Sequence, residues 1–85
     1  MRIIWRRSAH ASLLRLADRA PAQALAVHNA ILWLADIPTP NLGRSVGHGA
    51  RRYWPVPPQG IYYVVKDDEL IITAIRDARR RRQPW

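Results

Sequence analysis

Arginines, tyrosines, one tryptophan and a histidine set between glycines are the side chains of this sequence with chemistry to offer. His48 lies in Gly47-His48-Gly49, where no neighbouring side chain would keep an imidazole from approaching a substrate as a base. Arg51-Arg52-Tyr53-Trp54 follows closely. In an extended chain Arg52 and Trp54 alternate onto one face, so Arg52 is placed to hold a phosphate or an acidic side chain of a partner. Tyr53, Tyr62 and Tyr63 supply rings of the kind on which bases stack when a basic groove holds a single strand. Arg76 and then Arg79-Arg80-Arg81-Arg82 carry fixed positive charge off the end of the last hydrophobic run. His48, Arg52 and Tyr53 are therefore the catalytic candidates. Arg51, Arg52, Trp54, Arg76, Arg79 and Arg80 are the candidates for gripping a partner or target.

Each of these has a plainer reading beside it. A strand arginine such as Arg52 also lays its stem over apolar surface. Tyrosine is a good strand residue that packs in cores and rims, a loop histidine is commonly just solvated, and Arg81 and Arg82 also read as a solvated tail. His28 reads as a polar spot on a packed helix and His10 as exposed, while Trp5 and Trp33 are expected in the core. Without cysteine or paired histidines, no metal or other cofactor is expected.

The elements that must position these groups fit one small domain of 85 residues. The chain carries 14 Lys+Arg against 6 Asp+Glu, a formal net charge of +8, and all but Lys66 of the cations are arginine. That balance favours an acidic partner: nucleic acid, an acidic protein or an anionic membrane surface. No apolar run is long enough to span a bilayer, and the N-terminus does not read as a signal peptide, so a cytoplasmic protein is expected. Arg2 to Trp5 reads as a first strand. Ser8 is a plausible N-cap for a helix whose apolar face is Ala9, Leu13, Leu16, Ala17 and Ala20. Pro21 suits the first turn of a second helix, to about Ala35, with apolar residues around most of its circumference; such a helix is expected to be sandwiched between the first helix and a sheet. Asp36 to Ala50 reads as a long loop. Arg51 to Val56 forms a strand before a Pro57-Pro58-Gln59-Gly60 turn, and Ile61 to Lys66 pairs with Leu70 to Arg76 around Asp67-Asp68.

The predicted order is β-α-α-β-β-β, an α+β fold with two N-terminal helices on one face of a small, mainly antiparallel sheet. Alternation places Ile61, Tyr63 and Val65 on one face and Tyr62 and Val64 on the other, with Leu70 and Ile72 opposed to Ile71 and Ile75. Both faces are then apolar and two helices can cover only one, so the second is expected to carry a ligand groove or a partner.

Ile4-Trp5, Leu34-Ala35-Asp36-Ile37-Pro38, Gly43-Arg44, Arg52 to Val56, Ile61 to Val65 and Ile72 to Arg80 follow one another in an order and spacing that resembles the RelE/ParE toxin superfamily. The resemblance covers essentially the whole chain. It implies the toxin of a type II toxin–antitoxin pair, held in a hetero-oligomer by a small cognate antitoxin. RelE-like members cut mRNA on the ribosome, which needs a base for the 2′-OH, cations for the phosphorane charge and an acid for the leaving oxygen. This sequence departs from that pattern. Gln59-Gly60 stands where an arginine of the basic cluster is expected, and Asp77-Ala78 where many relatives carry His or Tyr, although some ParE-like proteins also keep a histidine there. The departures favour the ParE-like branch, which poisons DNA gyrase by binding it. A RelE-like ribonuclease and a degenerate toxin that retains only antitoxin binding are the alternatives.

Overall fold

A computed structural model describes residues 1–37, 44–45 and 50–78. Its elements are β1 (Arg2–Trp5), α1 (Arg7–Arg19), α2 (Pro21–Asp36), β2 (Arg44–Ser45), β3 (Arg51–Val56), β4 (Gln59–Lys66) and β5 (Glu69–Asp77). The α+β class and the expected β-α-α-β-β-β order are therefore present, with one addition. The stretch read as an uninterrupted loop contributes the two-residue strand β2, which pairs with β3. Two residues carry too little hydrophobic pattern to register as a strand; the neighbouring strand creates it.

The sheet runs β1-β5-β4-β3-β2. β1 lies parallel to β5 and every other pair is antiparallel. The β3–β4 turn is only Pro57-Pro58, because Gln59 and Gly60 already pair with Asp77 and Arg76. Asp67-Asp68 closes the β4–β5 hairpin, with Asp67 at φ 56°, a left-handed conformation that aspartate tolerates better than most side chains.

α1 starts two residues earlier than a Ser8 cap would place it. The Arg6 N–H still donates to the Ile72 carbonyl (3.1 Å), extending the β1–β5 ladder, and the next residue opens the helix. Arg6 is the N-cap, no side chain caps it, and Ser8 lies inside the first turn. Ala9 and Leu16 are buried, with Leu13 and Ala20 packed against the core, whereas Ala17 faces solvent. Only Ala20 separates α1 from α2. Pro21 lacks an N–H to continue the ladder and drives the residue before it out of helical geometry, which puts Ala20 at φ −148°, ψ 77°.

α2 buries Ala24, Val27, Ile31 and Leu34, a stripe that recurs every three or four residues. Full burial of Val27, Ile31 and Leu34 is worth about 1.5–3 kcal/mol for each side chain. The helix is not sandwiched: Leu25 is 59% exposed and Leu32 46%. Trp33, expected in the core, is also 46% exposed and rests on Trp54 of β3, ring centroids 5.4 Å apart. Trp5 is half-buried against the core. Below Trp54, Gln23 Nε2 donates to the Val56 and Pro57 carbonyls at 3.2 Å, tying α2 to the β3–β4 turn.

The buried face of the sheet holds Ile61, Tyr63, Leu70, Ile72 and Ile75. Strict alternation would set Ile75 opposite Ile72, and the structure overturns that expectation. Tyr62 faces Ala74 while Tyr63 faces Ile72, so Thr73 is an extra residue in β5. This β-bulge returns Ile75, 6% exposed, to the helix side. Thr73 Oγ1 donates to the Tyr62 carbonyl at 3.1 Å and pins the bulge.

Candidate functional site

The face of the sheet away from the helices is built from four strands in register. Arg2, Glu69 and Lys66 form one row across it. Ile4, Ile71, Val64 and Arg51 form the next, Ala74, Tyr62 and Tyr53 the third, and Arg76, Gly60 and Pro55 the fourth. The apolar row and the tyrosine row are half-buried, and Arg51 and Arg76 are exposed. The result is an apolar and aromatic band with a guanidinium at two of its corners. The Arg2–Glu69 ion pair closes one end; exposed as it is, such a pair contributes at most about 1 kcal/mol.

Within the band the Tyr53 and Tyr62 rings pack at 5.0 Å between centroids, tilted by 59°. Tyr53 reaches across the sheet and lies on Gly60. A Cβ at position 60 would sit 2.7 Å from Tyr53 Cζ, closer than any side chain tolerates. Position 60 therefore serves as a seat for Tyr53, and any side chain there must displace that ring.

The sequence-derived candidates divide between the two faces. Arg51, Tyr53 and Arg76 share the open face. Arg52 and Trp54 do share a side, as alternation implies, but it is the helix side, where Trp54 packs on Trp33 and Arg52 lies beside Tyr63 in the register. Asp77 falls on that side too, next to Gln59. His10 is on α1, its ring 6.0 Å from that of Trp5, and His28 is exposed on α2, so both belong to the helical layer. His48, Arg79 and Arg80 lie outside the described residues. Among the described residues no three His, Cys, Asp or Glu side chains converge where a metal ion could sit.

Ile4, Val64 and Ile71 complete the open face although their types announce no chemistry. Ile71 and Val64 were readable as a second apolar face; Ile4 joins them only through the parallel pairing of β1 with β5. Among the described residues no helix is long and apolar enough to cross a membrane. Comparison with family models, curated proteins and solved structures finds no match to this chain.

Proposed function

We propose that this protein is the toxin of a type II toxin–antitoxin pair, ParE-like: a cytoplasmic protein that arrests growth by binding DNA gyrase and is neutralised by a cognate antitoxin. The observation that carries the reading is the sheet face away from the helices, covered by none of the described elements, where Ile4, Ile71, Val64 and the Tyr53–Tyr62 pair are flanked by Arg51 and Arg76. Tyrosine and arginine around an apolar centre are the composition of protein–protein contacts. The β-α-α-β-β-β order and the sequence resemblance support the family. Three placements favour binding over nucleolysis. Gly60 seats Tyr53 in place of a cation, Asp77 lies on the helix side, and His10 and His28 belong to the other layer. Each positioned acid or base contributes about 10²–10⁴-fold to phosphodiester cleavage, so the open face is better suited to grip than to cut.

The ribonuclease reading keeps one observation in its favour. Two tyrosines and two arginines on one face are also how a single-stranded RNA is held. Inducing the protein without its antitoxin, and following supercoiling and mRNA integrity in the same cells, separates the two. Loss of gyrase supercoiling with filamentation and a DNA-damage response is expected. Rapid codon-phased mRNA cleavage with supercoiling intact would move the assignment to the ribonuclease branch. Tight antitoxin binding with no growth arrest would reduce it to a degenerate toxin.

A further inference from the structure

A cavity of about 450 Å³ opens between α1 and the far end of the β4–β5 ladder, away from the centre of the open face. Ser12, Arg15, Leu16 and Arg19 line it from the helix, and Gln59, Ile75, Arg76 and Asp77 from the sheet. The spacing 12, 15, 16, 19 is a single stripe of α1, so these side chains stand over one another along one wall. Leu16 and Ile75 are buried members of the core. The polar groups lie beyond them.

Two features distinguish this groove from a merely basic surface. First, Gln59 is 4% exposed and is the single buried polar residue among those described. Its neighbours on the same strand face, Ile61 and Tyr63, are fully buried members of the core, and the amide stands where that layer meets the cavity. Second, Arg15 Nη2 donates to Ser12 Oγ at 3.2 Å. That bond holds one guanidinium along the helix wall and leaves the serine proton free to donate. The wall offers donors from three guanidiniums, a hydroxyl and an amide, against one carboxylate, Asp77. A donor-rich, net-cationic groove recognises an anion, and guanidinium forks match phosphate oxygens in pairs. The volume exceeds that of a bare oxyanion and falls within the range of small-molecule sites.

We propose that the groove between α1 and the β4–β5 end is a binding site for a small phosphate-bearing ligand, with Arg15 and Arg19 on the phosphate and the Gln59 amide closing the inner end. The site shares Arg76 with the open face but takes its other lining residues from α1 and the helix side of the sheet, and it is tested on the isolated full chain with no toxin target present. The probes are inorganic phosphate and a nucleoside monophosphate, each titrated at constant ionic strength and followed by calorimetry and by the Gln59 side-chain amide resonance. Saturable binding that moves that resonance is expected. Arg15→Gln with Arg19→Gln should weaken it by about tenfold or more, while Arg51→Gln, on the open face, should leave it unchanged. Binding of both probes identifies the phosphate alone as the recognised group. Binding of the monophosphate only assigns the site to an organic phosphate. No saturable binding of either probe, an unmoved Gln59 resonance, or an equal loss in Arg51→Gln would overturn the proposal.

Discussion

Position 60 shows how a single residue type sets the character of the open face. The Tyr53 ring occupies the space above the Gly60 backbone, so even one added carbon must displace it. Gly60→Ala is expected to destabilise the fold by about 1–3 kcal/mol, the usual range for overpacking a filled site. Removing the obstacle should return part of that loss. In a double-mutant cycle, Gly60→Ala should cost less in a Tyr53→Ala background than in the native one, as read from denaturant midpoints. Additive losses would mean that Tyr53 does not rest on Gly60. The same geometry makes Gly60→Arg a poor route to a ribonuclease, since the new guanidinium would arrive by evicting the aromatic pair.

At the scale of elements, the bulge in β5 decides which side chains the helices see. Thr73 is the additional residue, so deleting it keeps Leu70, Ile72 and Ile75 on the buried face and costs mainly its hydrogen bond to Tyr62, about 1 kcal/mol. Deleting Ile71 instead removes a residue from the regular ladder and brings Thr73 to the place of Ile72. That exchange should cost at least the roughly 1.5–3 kcal/mol of a buried isoleucine. Thermal unfolding of the two deletions checks the difference, and equal losses would contradict the register. Much of this architecture was legible beforehand, because Ala24, Val27, Ile31 and Leu34 declare a helix face, Pro21 its start, and the runs on either side of Asp67-Asp68 a hairpin. The illegible parts share one cause. The inward turn of Ile75, the existence of β2, the exposure of Trp33 and the start of α1 at Arg7 all depend on a neighbour distant in sequence. Of the candidate site, the second apolar face could be read from Tyr62, Val64 and Ile71. That Arg51 and Arg52 lie on opposite faces follows from alternation, but which of them joins Arg76 on the open face was readable only from the strand register and the side the helices cover.

For the whole molecule, the formal charge of +8 and the placement of Arg51 and Arg76 beside an apolar band predict how a partner arrives. If gyrase is the target proposed above, replacing both with glutamine should slow association with it mainly at low salt, because at physiological ionic strength exposed charges act over only about 8 Å. Equal association rates for native and substituted protein across a salt series would remove these arginines from the contact. The parallel pairing of β1 with β5 has a consequence for how the protein is made. Arg2 and its ion-pair partner Glu69 are 67 positions apart, and the Arg2 N–H donates to the Asp68 carbonyl at 2.9 Å. On the ribosome, the first strand therefore emerges with no ladder to join, and it waits while the helix pair and the β3–β4 hairpin are synthesised. Among the described residues its sheet neighbour is β5, the last strand to be translated, and pairings so distant in sequence form slowly. The row from Ile4 to Arg51 cannot assemble before then, and the face it belongs to is not complete until synthesis has passed Arg76.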